Sequence, residues 1–395
     1  MKKIIKICLP IAISIIVIVG FNSILDKKIQ KLSSDRDMSN IRHNQGVRAK
    51  YNGSYFRDLF LENNDLMLLG SSELGSNVPQ NPVNLFPFNE AEYEISNFGV
   101  AHIQNLQQAT MVGGSDKFNE ESKIGLIVSL QWFEDENGMQ TDQFLPGFSE
   151  VQFYQFLDNP KISIENKKYL SKRVYELISP SNMFTEEGIY AKLFLREKPI
   201  DKVMYYLTYP YFKSRKYMLE TRDKISALKE MKNMPEKEMQ DTKKTINFEE
   251  EYKLAEEQGQ KAVTNNRFYA EDNYYNTYLK DIEADLADRN KNVDIMNSVE
   301  FKDFEFFLDL CNDLGIKPYI ILMNVNGWYY DYTGITEDER TEFYNKLESI
   351  ATEKGFDVLN LQPHEYEKYY LIDVMHLGWK GWLNVTEEMY NYFKK

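Results

Sequence analysis

Five short apolar runs, separated by segments with helical spacing, constrain this chain most. They are "DLMLL" (65–69), "EYEISN" (92–97), "KIGLIVSL" (123–130), "KPYIILMNV" (317–325) and "FDVLNL" (356–361). Helices are predicted between them. "VAHIQNLQQATMV" follows the second run, and Ser149 with Gln152 makes a capping-box pattern that opens another helix. Apolar residues at 301, 304, 308 and 311 recur at helical spacing before Gly315, which suits a C-terminal cap. Thr336 and Glu339 form a second capping-box pattern, and that helix closes at Gly355. Strands that alternate with helices in this way imply a parallel sheet covered on both faces. The predicted fold class is therefore α/β, a three-layer parallel sheet with helices on both faces. With 395 residues, 43% of them hydrophobic, the chain can bury the core this needs.

The alternation is interrupted between about 150 and 297 by a helical stretch poor in strand signals. Its densest part, "DKISALKEMKNMPEKEMQDTKKTINFEEEYKLAEEQGQKAV", is rich in Ala, Glu and Lys and is broken at Pro235. The simplest reading is a solvated helical insertion into one α/β domain; a surface that docks a partner is the alternative.

The N-terminus carries "ICLPIAISIIVIVGFNSIL", 19 residues from Ile7 to Leu25 without a charge. As a helix it spans about 29 Å, close to the roughly 30 Å hydrocarbon core of a bilayer. Lys2, Lys3 and Lys6 precede it, so the short basic end is expected inside and the remainder outside. A cleaved signal peptide is the competing reading, but the run is long for one and shows no clear small-x-small cleavage site. Residues 1–28 are read as a single-pass anchor, 29–60 as a polar, partly helical stalk, and 61–395 as the extracellular α/β domain. Beyond residue 28 the chain holds 42 basic and 60 acidic residues, a net charge of −18, which argues against nucleic acid as a partner. Two cysteines, Cys8 and Cys311, exclude a disulfide framework, and no His, Cys and carboxylate cluster has metal-ligand spacing. Phosphate-loop and dinucleotide glycine patterns are absent as well, so no cofactor is expected.

In an open α/β sheet, ligands bind beyond the carboxyl ends of the strands. Gly70-Ser71-Ser72 follows the first strand, Asn97-Phe98-Gly99 the second and Ser129-Leu130-Gln131-Trp132 the third. Beyond the last strand, "LIDVMHLGWKGW" supplies Asp373 and His376. A spacing of three residues puts Asp373 and His376 on one face of a helical turn, where the carboxylate can hold Nδ1 and leave Nε2 facing a hydroxyl. His43, His102 and His364 lack such an aspartate and read as structural or exposed. Ser72 is the candidate nucleophile, against the plain alternative of a turn or cap serine, and Ser71 is read as supporting the turn. Candidate oxyanion donors are the Ser72 N–H, the Gly99 N–H and the Gln131 side-chain amide. Gln131 as a surface residue and Gly99 as an ordinary turn glycine are the alternatives. All four tryptophans, Trp132, Trp328, Trp379 and Trp382, fall in these segments, which suggests an aromatic wall around the site.

This order of Ser, Gly, polar donor and Asp-x-x-His resembles the SGNH/GDSL hydrolase superfamily. More closely, "GSSEL", "SLQWF", "NGWYYDYTG" and "DVMHLGWKGW", behind an apolar N-terminus, resemble the DltD family of D-alanyl-lipoteichoic acid biosynthesis proteins of Gram-positive bacteria. The resemblance covers essentially the whole chain. It implies an SGNH-like fold, with the family's Ser, Asp and His on Ser72, Asp373 and His376, and its oxyanion glycine on Gly99. The superfamily's Gly-x-Asn-Asp block is replaced by Ser129-Leu130-Gln131-Trp132, so Gln131 stands in by position, and the Asp before the serine is Ser71 here. The implied activity is D-alanyl transfer from an acyl donor to lipoteichoic acid on the outer membrane face, through an acyl-enzyme, beside a membrane O-acyltransferase partner. A non-catalytic adaptor for that partner, and a surface esterase or thioesterase, are the competing functions.

Overall fold

A computed structural model describes residues 20–238 and 244–394. Its centre is a five-stranded, wholly parallel sheet: β1 (Leu66–Leu69), β2 (Ile95–Phe98), β3 (Ile124–Ser129), β4 (Tyr319–Met323) and β5 (Val358–Asn360), in the order β2-β1-β3-β4-β5. Each strand falls on one of the runs singled out in the sequence, β2 extending one residue beyond its run, to Phe98. β1 to β4 are buried at every position, because helices cover both faces. On one face Met67, Leu69, Leu126, Val128 and Leu322 join a core with the helices Asn105–Gly113, Glu300–Leu314 and Glu337–Glu353. On the other, Leu66, Leu68, Ile127 and Ile321 pack with the C-terminal helix Trp379–Phe393. The strand order reverses direction between β1 and β3, which makes the carboxyl end of β1 the topological switch point where ligands bind in sheets of this kind.

The predicted helix signals act as read. Ser149 Oγ accepts the Gln152 N–H at 3.3 Å, and Thr336 and Glu339 close a reciprocal capping box. Gly315 and Gly355 end their helices at φ of 69° and 87°, a backbone region that favours glycine.

Two expectations change, and a third lies mostly outside the described residues. The segment 29–60 is not a polar stalk. Helices over 20–35, Ser39–His43, Arg48–Tyr51 and Tyr55–Glu62 lie on the body, and Ile29, Ile41, Phe56 and Phe60 are buried in its main core. Arg57, fully buried, donates to Met111 O at 2.9 Å and Gly114 O at 3.1 Å, satisfying carbonyls at the end of a neighbouring helix. The acidic stretch between β3 and β4 is not wholly solvated either. In the helix Phe248–Ala262, Ala255 is buried in the core that the C-terminal helix shares, and Gly259 lies against the Tyr369 ring. Finally, most of the expected span Ile7–Leu25 falls outside the described residues, and among those described no helix is long and apolar enough to cross a membrane.

Candidate active site

β1 runs one residue past its last ladder position, where Gly70 N donates to Phe98 O at 3.2 Å. The chain then turns into a single 3-10 turn, Ser72–Gly75. Packing allows no side chain at two points. A Cβ on Gly99 would stand 2.0 Å from Gly70 O, and one on Gly70 would stand 2.6 Å from a Glu73 oxygen. Gly99 therefore brings the end of β2 directly against the backbone that leads into Ser72. Gln108, from the helix after β2, holds the Gly70 carbonyl at 3.2 Å, and Ser71 Oγ donates to Val100 O at 3.2 Å. The turn is fixed from both neighbouring segments.

Asp373 and His376 arrive from the far end of the chain in a loop closed by paired Leu371 and Leu377, with Ile372 N donating to His376 O at 2.9 Å. The loop is not the helical turn expected from the spacing. The two side chains meet because Asp373 Oδ1 accepts the N–H groups of Met375 and His376, both at 2.8 Å, which folds the backbone around the carboxylate. Its other oxygen, Oδ2, lies 2.7 Å from His376 Nδ1. On the opposite side of the ring, His376 Nε2 lies 3.0 Å from Ser72 Oγ. Ser76 Oγ donates to Leu377 O at 2.8 Å, a second tie between the two loops. The three groups form a continuous hydroxyl–imidazole–carboxylate chain at the switch point of the sheet.

The imidazole's proton affinity is raised. Burial disfavours its charged form, but the hydrogen bond and charge of Asp373 outweigh that, and the charge of Glu73 adds to them. Glu73 was not singled out from sequence, where an acidic residue in a turn reads as solvated. It is fully buried; its Oε1 accepts Ser71 N–H at 2.6 Å, and burial raises its pKa despite that bond and the nearby imidazole. The readable signal was its place in Gly-Ser-Ser-Glu-Leu, immediately after a wholly apolar strand.

Other candidates separate from the relay. Gln131 sits half-buried on the 3-10 turn Leu130–Phe133, and its side chain makes no hydrogen bond to any described residue. The aromatic wall is also corrected, since Trp132, Trp379 and Trp382 are buried core residues. Trp328 alone is half-buried, with Met375 and Val374 in a small cluster beside the His376 loop. The same cluster includes Phe268 and Leu279 from the end of the helical stretch. Asn326 joins these parts: its Nδ2 donates to Phe268 O at 2.7 Å and to Asp373 O at 3.4 Å. His364 has a carboxylate partner, Glu367 at 2.7 Å, but its ring stacks on Tyr370, and among the described residues it has no hydrogen bond to a serine hydroxyl. Among the described residues no group of His, Cys, Asp and Glu is arranged to hold a metal.

The chain matches the family model described as DltD protein over residues 47–394. It is similar to Protein DltD of Bacillus subtilis (strain 168), 29% identical, with 88% of this chain and 87% of the relative aligned. It is also similar to Protein DltD of Staphylococcus aureus (strain NCTC 8325 / PS 47), 26% identical over 87% of this chain and 84% of the relative. Protein DltD of Lacticaseibacillus rhamnosus is 22% identical, over 87% and 80%. The matched span runs from the helices that pack beneath the sheet, through Ser72, to the C-terminal helix behind His376, and on that extent the chain belongs to the DltD family.

Proposed function

We propose that this protein transfers D-alanyl groups to lipoteichoic acid on the outer face of the membrane, by way of a D-alanyl ester on Ser72. The carrying observation is the unbroken contact from Ser72 Oγ through the His376 ring to Asp373, at 3.0 and 2.7 Å. His376 Nε2 takes the Ser72 proton as Oγ attacks the acyl carbonyl of an activated donor, and returns it to the leaving group. An acceptor hydroxyl of the glycerol-phosphate polymer then attacks the ester and gives its proton to Nε2, which passes it to Ser72 Oγ. Asp373 holds Nδ1–H and offsets the imidazolium charge. The Ser72 and Gly99 N–H groups are the oxyanion donors; Gln131, untied to the relay, is the weaker third. The uncharged run Ile7–Leu25 is the anchor that keeps the site outside, beside a membrane O-acyltransferase partner.

The test is incubation of the purified full chain with an activated D-alanyl ester, with and without a glycerol-phosphate acceptor. Ser72-dependent D-alanylation of the acceptor is the expected result. Release of free D-alanine at the same rate whether or not acceptor is present would replace transfer by esterase action. A triple variant lacking Ser72, Asp373 and His376 that restores D-alanylation to cells lacking the protein would assign it an adaptor's role instead.

A further inference from the structure

The helix Pro199–Lys232 is 34 residues long and buries only one stripe, at Tyr205, Phe212, Leu219, Asp223, Ala227 and Met231. Between Ile200 and Met218 its open side carries many large apolar side chains, with Lys202 an exposed cation at the start. Leu207 and Met218 are 70% exposed, Ile200 and Tyr206 59%, and Tyr211 54%. Within it, "VMYYLTYPYF" (203–212) has no charge. A contiguous exposed apolar surface of this kind marks an interaction site.

The neighbouring helix, 20–35, fixes its direction. Asn22 Nδ2 donates to Tyr217 Oη at 2.7 Å, Asp26 pairs with Lys224 at 2.7 Å, and Arg36 donates to Met234 O at 3.2 Å. Residue numbers rise together along both helices, so they run parallel. The first six residues of 20–35 are the end of the uncharged run Ile7–Leu25, and the rest of that run precedes them in the sequence. The part of the long helix from Ile200 to Tyr217, about 26 Å, therefore lies at the end of the body where residue 20 stands. Phe21 and Ile24, 48% and 58% exposed, carry the apolar surface onto the first helix.

We infer that the exposed half of this helix, Ile200 to Met218, seats in the outer surface of the phospholipid bilayer beside the N-terminal anchor; this rests on the anchor reading above. Tyrosines with an apolar ring and a polar tip are suited to the headgroup boundary, and apolar burial there supplies the binding energy. The surface is the flank opposite the stripe packed on the body, which lipid covers without a matching groove. The first cations after the run do not compete for that face, since Lys213 and Lys216 are held by Asp158, both at 2.7 Å, and Arg215 by Glu187. The body would then rest on the membrane at two points rather than swing from one.

The test uses the full chain with Cys8→Ser; Cys311 is buried and does not label. Leu207→Cys, Phe21→Cys and Lys253→Cys each carry an environment-sensitive fluorophore in phosphatidylcholine–phosphatidylglycerol vesicles containing spin-labelled lipid. The probes at 207 and 21 should shift to the blue and lose emission to the lipid quencher, while the exposed position 253 stays unchanged. Quenching at 21 but not at 207, with 207 open to aqueous iodide, overturns the inference and leaves the anchor standing. No quenching at either removes both. A probe at 207 shielded from lipid and iodide alike assigns the face to a protein and overturns the bilayer.

Discussion

Glu73 Oε1 accepts the N–H of Ser71 at 2.6 Å, so the turn that presents Ser72 is closed by a buried carboxylate from the very next residue. The same carboxylate raises the proton affinity of His376. A general base must be neutral to accept a proton, so activity falls as pH drops through the His376 pKa. Glu73→Gln keeps an acceptor for Ser71 N–H and removes the charge. The acid limb of kcat/KM against pH is expected to move to lower pH. An unmoved limb would show that Glu73 serves the turn alone.

Ser72→Ala removes the attacking oxygen and leaves the packing of the turn untouched. Acyl transfer is expected to fall about 10⁴- to 10⁶-fold, the range over which members of a triad act as a unit. The thermal midpoint should stay within a degree or two of the parent, read by calorimetry.

Asp373→Asn presents an amide to Nδ1 and favours the wrong tautomer, with an expected loss near 10⁴-fold in kcat. Its effect on stability has a sign. The His376 pKa is higher in the folded protein than its ordinary value of about 6.5, so the Asp373 contact stabilises fully below that pH and fades as pH rises through the folded value. The drop in thermal midpoint should be larger at pH 6 than at pH 9.

Gly99→Ala forces a methyl to within 2.0 Å of Gly70 O and 2.6 Å of Gly70 C, both backbone atoms. One of the two strand ends must move. Overpacking of this kind costs about 1–3 kcal/mol, and displacing an oxyanion donor costs about 10²–10³ in rate. Chemical denaturation and single-turnover kinetics read the two effects separately.

Asn326→Ala strips Phe268 O and Asp373 O of a donor and uncaps the helix Gly327–Thr333, whose Tyr329 N–H it accepts at 3.0 Å. A loss of about 1–3 kcal/mol is expected. Because Asn326 touches no reacting group, kcat should fall through the Asp373 loop while the pH limb of His376 stays in place. A full kcat would detach the helical stretch from the relay.

Much of this was legible along the chain because burial on both faces writes itself as uninterrupted apolar runs, as in Leu66–Leu69 and Ile124–Ser129. Ser72, Asp373 and His376 were readable from their places after such runs. What escaped has a physical reason in each case. Ile29, Ile41, Phe56 and Phe60 are scattered among polar residues on short helices, too few per segment for a period to show, so a packed segment read as a stalk. The tryptophans were assigned to the site by proximity in sequence, but a large ring next to a strand end fills the core as readily as it lines a cleft. Gln131 followed the correct strand, yet its half-buried side chain points to no partner, and position in sequence does not encode that. Glu73 was passed over because charge usually means solvent, and only the fold reveals that this carboxylate has none.

Ser72 and His376 lie 304 positions apart, in loops laced together by Ser76 and Leu377. A growing polypeptide carries the hydroxyl long before it acquires the ring that faces it. The Ser72–His376 contact therefore forms only once the loop after the last strand has reached across to the end of the first, with two strands between them in the sheet, so an unfinished chain holds the serine without its imidazole.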